Sequence, residues 1–174
     1  MKLSKRMRVK HGYTAFIETF LGKKDLVGVM VGYLGIRAEH ILKHLNMNML
    51  YIVDPFKMYP ELEDWRTVDL KKWEQHLKDN FGNNEHVSHL PVTSRSASYM
   101  FEKHSVDFVY IDGCHLYEEV KNDVHDWYEK VKPYGSMWGH DIILEDVATA
   151  VKEFARNNGL KVYAFDGDWT LRKE

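Results

Sequence analysis

The segment Asp107-Phe-Val-Tyr-Ile-Asp112 is a short apolar run that ends in a carboxylate. An amphipathic helical pattern follows over Leu116–Val131, and a second apolar run follows over Ser136–His140. Nearly continuous apolar runs of this length are typical of strands that are covered on both faces of a parallel sheet. A strand, a helix and a second strand in this order therefore predict two parallel strands joined by a right-handed crossover.

The same alternation of strand and helix extends over most of the chain. Upstream, the predicted elements are strands over Val27–Gly32, Met49–Asp54 and His86–Val92 and a helix over Ile36–Leu45. Downstream, they are a helix from about Glu145 to Asn158 and strands over Leu160–Phe165 and Trp169–Arg172. The residues Asp166-Gly167-Asp168 join the last two strands, and Asp-Gly between β-prone runs predicts a hairpin. We therefore expect an α/β fold with an open, mostly parallel sheet and an antiparallel hairpin at its edge.

Length and composition restrict the class of protein. At 174 residues the chain has the size of one domain, and 24 Lys and Arg against 26 Asp and Glu give a net charge of −2. This near-balance favours neither nucleic acid nor an anionic membrane as a partner. The single cysteine, Cys114, cannot form an internal disulfide, and no apolar run has the length of a membrane helix. We expect a cytoplasmic protein in which residues 1–25 form a basic arm and a helix and residues 26–174 form a single domain.

Glycines and an acidic residue follow the first two predicted strands. The first strand runs into a helix through Gly32-Tyr33-Leu34-Gly35, where backbone N–H groups could approach a ligand closely. The second strand ends at Asp54, about 20 residues beyond Gly32, where the hydroxyls of a ribose would find an acceptor. Each signal alone is also typical of an ordinary turn. Together they favour a ligand that carries an adenosine-like ribose.

Four titratable residues follow the fourth and fifth predicted strands. They are Asp112, His115, His140 and Asp141. Because the carboxyl ends of neighbouring parallel strands lie at the same edge of a sheet, we expect these side chains around one crevice. Two carboxylates and two imidazoles could bind a divalent cation, and they could equally supply a general acid or base. Each residue taken alone would instead be an ordinary loop carboxylate or surface histidine.

These motifs resemble the class I S-adenosylmethionine-dependent methyltransferases. Ile111–Tyr117 matches an Ile-Asp-Gly-x-His-x-Tyr motif at strand four of one subgroup, and Gly139–Asp141 matches its Gly-His-Asp motif at strand five. Val31–Gly35 and Leu50–Pro55 match the same group, so that the resemblance covers roughly residues 26–172. It implies a Rossmann-like three-layer sandwich with a seven-stranded sheet, S-adenosylmethionine as the cofactor, and methyl transfer to a small-molecule acceptor.

The resemblance also implies roles for individual residues. The cofactor-binding residues would be Gly32, Tyr33 and Gly35 near its methionine part, Asp54 at the ribose hydroxyls, Thr93 and Ser94 near the adenine, and Asp112. Some related O-methyltransferases hold Mg²⁺ with acidic residues after strands four and five. Those positions correspond to Asp112 and to His140 with Asp141, which are the predicted metal ligands.

Three positions depart from the family pattern. Met30 replaces a common acidic residue before the first glycine, Tyr134-Gly135 replaces a Gly-Gly turn, and no acidic residue follows strand three to accept from the adenine amino group. Because the chain has few residues beyond the core, substrate selection is expected from the loop Pro55–Arg66, from the N-terminal segment, or from another subunit of a homo-oligomer.

The leading hypothesis is O-methylation of a small molecule, assisted by Mg²⁺ or another divalent cation, with His115 or His140 as the catalytic base. One alternative is a non-catalytic module that binds a cofactor or nucleotide. Another is a metal-dependent hydrolase or hydroxylase-like enzyme that uses the same Asp and His residues.

Overall fold

The computed structural model describes residues 12–32, 37–56 and 69–173, which form six helices and seven strands. The helices are α1 (Gly12–Phe20), α2 (Ala38–His44), α3 (Leu70–Phe81), α4 (Ser94–Ser98), α5 (Tyr117–Tyr128) and α6 (Glu145–Asn157). The strands are β1 (Leu26–Gly32), β2 (Met47–Val53), β3 (Val87–Leu90), β4 (Val106–Asp112), β5 (Val131–Gly139), β6 (Val162–Phe165) and β7 (Asp168–Arg172). None of the helices in these ranges has both the length and the apolar character needed to cross a membrane.

The seven strands form one sheet in the order β3-β2-β1-β4-β5-β7-β6. Strands β1 to β5 pair in parallel, whereas β7 runs antiparallel to both β5 and β6. This arrangement confirms the predicted α/β fold and its terminal hairpin. The strand order reverses between β1 and β4, and at this point Gly32 lies opposite Asp112. Ligands of such sheets bind beyond the strand ends at this reversal.

Helices cover both faces of the sheet, which accounts for the apolar character of its strands. On one face, α4, α5 and α6 pack around Val124, Trp127 and Val151, all fully buried. On the other face, α1, α2 and α3 pack through a second group that includes Phe16 and Ile41. The result is the three-layer sandwich that the family resemblance implies.

Several boundaries differ from the predictions. The helix predicted over Leu116–Val131 is shorter at both ends, because Leu116 has an extended backbone and Val131 pairs with Val106 as the first residue of β5. Strand β5 therefore begins five residues before the predicted Ser136. The helices α3 and α4 were not among the predicted elements. The predicted hairpin turn is present, with positive φ at both Asp166 and Gly167, as a tight hairpin turn requires.

Candidate active site

Four predicted residues meet at the carboxyl ends of β4 and β5. His115 Nε2 lies 3.0 Å from Asp141 Oδ2, and His140 Nδ1 lies 3.0 Å from the same oxygen. His140 Nδ1 is also 3.7 Å from Asp112 Oδ1. The structure therefore brings Asp112, His115, His140 and Asp141 into one cluster, as the strand ends predict.

Local backbone geometry after β5 produces this cluster. His140 N donates to Ile111 O across the strand ends, at 3.0 Å, and this bond holds the two segments together. The next residue, Asp141, has a φ of 57°, a left-handed conformation that Asp and Asn tolerate better than most residues. Leu144 N then donates to Asp141 O at 2.9 Å. The chain thus turns sharply at Asp141, and its carboxylate is placed between the two imidazoles.

Two charged residues of the site were not predicted from the sequence. Arg37, directly before α2, has its Nε 3.3 Å from Asp112 Oδ2, and its Nη1 donates to Tyr110 Oη at 2.8 Å. Asp168, the first residue of β7, lies 4.0 Å from Arg37 Nη1 and 3.5 Å from His140 Nε2. A positive charge at a helix N-terminus opposes the helix dipole. An arginine directly before α2 therefore does not stabilise that helix through its charge, and its presence in the sequence could have indicated a different role.

Burial controls the charge state of the two deep carboxylates. Asp112 is 6% exposed and Asp168 is 2% exposed. Burial raises the pKa of Asp112 to about 6, although the charge of Arg37 lowers it. Burial likewise raises the pKa of Asp168, again with Arg37 opposing. Arg37 pairs with Asp112 and Asp168, and Asp141 pairs with the two imidazoles, so three carboxylates lie near one guanidinium and two histidines. This excess of carboxylates favours an additional cation or a proton.

The donor set fits a divalent cation. Asp112 Oδ2 and His115 Nε2 are buried and form no hydrogen bond among the described residues, although Arg37 Nε lies 3.3 Å from the first and Asp141 Oδ2 lies 3.0 Å from the second. Together with Asp141, these residues offer three ligand atoms that all lie within 4.8 Å of one another. Oxygen and imidazole donors suit several divalent metals. This group contains His115, whereas the ligand set predicted from the sequence contained His140 in its place.

Two of the predicted cofactor residues, Gly32 and Asp54, lie at the carboxyl ends of β1 and β2. Gly32 has a φ of 79°, and a Cβ atom there would lie 2.5 Å from Asp112 O, so only glycine fits. Asp54 follows β2 and is largely buried, and its Oδ1 accepts from Phe56 N at 2.8 Å. Tyr33 and Gly35, and all but the first two residues of the loop Pro55–Arg66, lie outside the described residues.

His89 on β3 is a further polar residue at this edge that was not predicted from the sequence. Its Nε2 is buried without a hydrogen-bond partner in the described ranges, and burial lowers its pKa although Asp54 nearby raises it. A neutral imidazole beside the predicted ribose acceptor can donate or accept a hydrogen bond.

The predicted adenine residues use their hydroxyls within the protein. Thr93 Oγ1 accepts from Ser96 N at 3.3 Å and so caps α4. Ser94 Oγ accepts from Trp127 Nε1 at 2.8 Å and also hydrogen bonds to Asp123. The Ser94 side chain therefore fastens the segment after β3 to α5, whereas the Thr93 side chain bonds within the first turn of α4. A contact with a cofactor would use the backbone of this segment.

Asp123 is a buried carboxyl on α5, and it makes stability depend on pH. Burial raises its pKa to about 7, and the hydrogen bond from Ser94 offsets only part of this effect. Between the unfolded pKa of about 4 and the folded value, the folded state binds more protons. Stability therefore falls as pH rises through this window and is lowest above pH 7.

We expect Asp123→Asn to flatten the decline in stability between pH 5 and pH 8, because the amide stays neutral at every pH. Urea unfolding at a series of pH values measures this, with the exposed Asp79→Asn as the matched control. An unchanged slope in Asp123→Asn would show that other groups cause the dependence.

Met30, the departure that the sequence places before the first glycine, is fully buried among the residues that face α1, α2 and α3. Its side chain contributes packing there. Where other members of the family commonly have an acidic side chain, this chain therefore has an apolar side chain that packs in the core.

Comparison with known proteins gives the family. A family model described as a methyltransferase domain matches residues 27–142, which are two thirds of the 174-residue chain. The matched range contains Gly32, Asp54, Asp112, His115, His140 and Asp141. No protein of curated function matches the sequence significantly.

Solved structures show the same fold at low sequence identity. A Corynebacterium glutamicum protein has a TM-score of 0.66 at 17% identity, with 91% of this chain and 77% of that chain covered. A Streptococcus mutans protein assigned as a methyltransferase, in complex with SAH, has a TM-score of 0.67 at 11% identity and covers 95% of this chain and 99% of its own. The O-methyltransferase NovP has a TM-score of 0.63 at 16% identity, with 90% and 76% covered. With the family model over two thirds of the sequence, we conclude that the chain belongs to the class I S-adenosylmethionine-dependent methyltransferase family and is an enzyme of that family.

Proposed function

We propose that the enzyme transfers a methyl group from S-adenosylmethionine to a hydroxyl oxygen of a small molecule, with a divalent cation held by Asp112, His115 and Asp141. One observation carries the proposal: Asp112, His115 and Asp141 each offer a ligand atom that lies within 4.8 Å of the other two. Two buried atoms of these residues, Asp112 Oδ2 and His115 Nε2, have charged neighbours but form no hydrogen bond among the described residues. Leaving such atoms unsatisfied costs folding free energy. A bound cation would remove this cost.

The cofactor would lie over the ends of β1, β2 and β3. Gly32 lets the backbone approach its methionine part, Asp54 would accept from the ribose hydroxyls, and the segment of Thr93 and Ser94 would border the adenine. The Streptococcus mutans structure, which has this fold, holds SAH. Its similarity supports this location.

Oxygen as the methylated atom fits the chemistry of the cluster. A divalent cation, when bound, lowers the pKa of a coordinated hydroxyl. The named activity of NovP is O-methylation, which supports the same choice. Methyl transfer is an in-line displacement, so the remaining task of the protein is to align donor and acceptor and to exclude water.

His140 is our candidate for the general base, since His115 is used as a ligand in this proposal. Its side chain is 32% exposed and lies between Asp141 and Asp168, at 3.0 Å and 3.5 Å. His140 would take the hydroxyl proton, the oxygen would form its bond to the methyl carbon, and the carbon–sulfur bond would break to release S-adenosylhomocysteine. The two carboxylates stabilise the imidazolium that forms.

We expect Asp54→Ala to weaken the binding of S-adenosylhomocysteine about 10- to 100-fold, because the charged acceptor of two ribose hydroxyls is lost. Isothermal titration calorimetry with the folded protein measures the change. The exposed variant Asp69→Ala is a control for loss of a carboxylate elsewhere.

Failure of the wild-type protein to bind this cofactor product at millimolar concentration would contradict the whole proposal. Unchanged affinity in Asp54→Ala would contradict only the role of Asp54. Retained affinity together with inactivity toward every acceptor hydroxyl, with and without Mg²⁺, would favour the non-catalytic alternative.

A further inference from the structure

A bulge near the amino end of β5 presents an exposed tyrosine. This end of the strand lies opposite the carboxyl end, which the candidate active site follows. Val106 pairs with Val131 and Phe108 pairs with Ser136, so β5 advances five residues while β4 advances two. The three extra residues leave the regular ladder. Gly135 lets them do so, since a Cβ atom there would lie 2.6 Å from Asp107 O and 2.7 Å from Val131 Cγ1. Bulges of this kind re-aim side chains.

Tyr134, within this bulge, has a backbone conformation that is unfavourable for tyrosine. Its φ is 62°, in the left-handed region that costs a residue with a Cβ atom about 1–2 kcal/mol. Two hydrogen bonds with Lys173, the residue after β7, hold the backbone there: Tyr134 N donates to Lys173 O, and Lys173 N donates to Gly135 O. The side chain is 85% exposed, so packing does not compensate for the strain. Glycine would adopt this conformation at no cost, and a strained, exposed aromatic residue therefore suggests a binding role.

The bulge borders a groove of about 1160 Å³. Three tyrosines and three cationic residues line it, namely Tyr128, Tyr134, Tyr163, Lys161, Arg172 and Lys173, together with small and polar residues. No carboxylate belongs to the part of its lining that the structure describes. The groove therefore combines positive charge with aromatic surface.

Two of the three cationic side chains, Lys161 and Arg172, are adjacent and exposed to a ligand in the groove. Val162 pairs with Leu171 in the β6–β7 hairpin, which places Lys161 and Arg172 opposite each other across the two strands. Both are exposed, and neither forms an ion pair with a carboxylate in the described ranges. The Arg172 guanidinium lies over the Tyr163 ring, 5.2 Å from its centroid. The third cation, Lys173, instead donates to Tyr128 O and Val131 O and fixes the floor of the groove.

We propose that this groove is a second ligand site, which binds a nucleotide through its phosphate and its base. A phosphate placed between Lys161 and Arg172 would receive charge-assisted hydrogen bonds from both. A planar base would stack on the exposed ring of Tyr134, and stacking on aromatic side chains accepts any base. The groove lies at the start of β5, whereas His140 and Asp141 follow its end. The two sites are therefore about 15–20 Å apart along the strand.

The test uses the full-length protein with its cofactor site saturated by S-adenosylhomocysteine, which keeps an adenosine ligand out of that site. Binding of the cofactor product is measured first, so that its failure is distinguished from failure of the second site. Adenosine monophosphate, inorganic phosphate and a short single-stranded oligonucleotide are then titrated by calorimetry. Saturable binding of the monophosphate or of the oligonucleotide is the expected result. Preference for one of the two tells whether the nucleotide is free or part of a strand.

Two variants locate the binding. Tyr134→Gly is expected to weaken it about tenfold through loss of stacking, while its unfolding midpoint stays the same or rises because backbone strain is relieved. The double variant Lys161→Gln, Arg172→Gln is expected to weaken it by about tenfold or more. The control is Lys152→Gln, an exposed cation on α6 outside the groove.

Three outcomes would overturn the proposal. One is the absence of binding by both the monophosphate and the oligonucleotide. Another is binding that both groove variants leave unchanged. The third is equal affinity for inorganic phosphate and the monophosphate, which would mean that no base is recognised.

Discussion

Replacing Asp112 with Asn is expected to reduce the affinity for Mn²⁺ or Mg²⁺ more than about 100-fold, because residues that only support a metal ligand already contribute 10- to 100-fold. Asp112 is the most buried member of the candidate ligand set, and its Oδ2 forms no hydrogen bond among the described residues, although Arg37 Nε lies 3.3 Å away. An amide keeps the shape of the side chain and removes the charge that attracts a cation. Titration calorimetry, or the electron paramagnetic resonance signal of free Mn²⁺, measures the loss.

The two histidines give a sharper test of the same site. In the proposed set His115 is a ligand and His140 is not, so His115→Gln should weaken metal binding and His140→Gln should leave it nearly unchanged. His140→Gln should instead reduce turnover once an acceptor is known. The control is Asp166→Asn, an exposed residue whose positive φ asparagine tolerates. Equal affinity in wild type and Asp112→Asn would reject the metal site, and the opposite order of the two histidine variants would restore His140 as the ligand.

Replacing Arg37 with Met is expected to destabilise the protein by about 3 kcal/mol or more at pH 8, because it leaves buried carboxylates without their cation. Arg37 contacts Asp112 at 3.3 Å and Asp168 at 4.0 Å, and the side chains of both carboxylates are under 5% exposed. The Arg37 guanidinium also lies over the rings of Tyr13 and Tyr110, with Cζ 5.0 Å and 5.1 Å from their centroids, and methionine replaces it with an uncharged side chain that can still pack on these rings. The free energy of unfolding, from urea titrations, is the measurement.

The sign of the pH dependence distinguishes charge from packing. Arg37 lowers the pKa of Asp112 and of Asp168, so its removal raises both further above their unfolded values. When the pKa of a carboxyl is higher in the folded than in the unfolded state, the protein loses stability as pH rises from the unfolded pKa to the folded pKa. The decrease in the free energy of unfolding caused by Arg37→Met should therefore be larger at pH 8 than at pH 5.5, because the carboxyls take up protons at the lower pH. A deficit of the same size at both values would mean that Arg37 acts through packing, and Arg156→Met, at an exposed site on α6, is the control.

The predicted fold was confirmed because its signals are local. Apolar runs such as Asp107–Asp112 bury both faces, and the amphipathic stripe of α5 requires only the spacing of Val120, Val124 and Trp127. The Asp166-Gly167 turn could also be predicted from the sequence, since both residue types tolerate the positive φ that the turn requires. The bulge of β5 could not be predicted from the sequence, because it depends on the pairing of β5 with β4 and β7 and on the space around Gly135.

The candidate site was predictable only in part. Strand ends placed Asp112, His115, His140 and Asp141 in one crevice without any measured distance. The sequence did not distinguish the two histidines, because both stand within four residues of a strand end. Both imidazoles lie 3.0 Å from Asp141. Their separation into a candidate ligand and a candidate base rests on the grouping of His115 with Asp112 and Asp141 within 4.8 Å, and on the contact of His140 Nε2 with Asp168.

By itself, the sequence determined the architecture, the family and the edge of the sheet at which we propose that the chemistry occurs, because periodicity, turn residues and motifs are properties of neighbouring positions along the chain. Only the tertiary structure decided the electrostatics of that edge. Arg37 and Asp168 are far apart in the sequence, and Arg37 contacts both Asp112 and Asp168 because β1 lies next to β4 and β7 next to β5. The raised pKa of Asp112 arises from burial, which is set by all the elements packed around it.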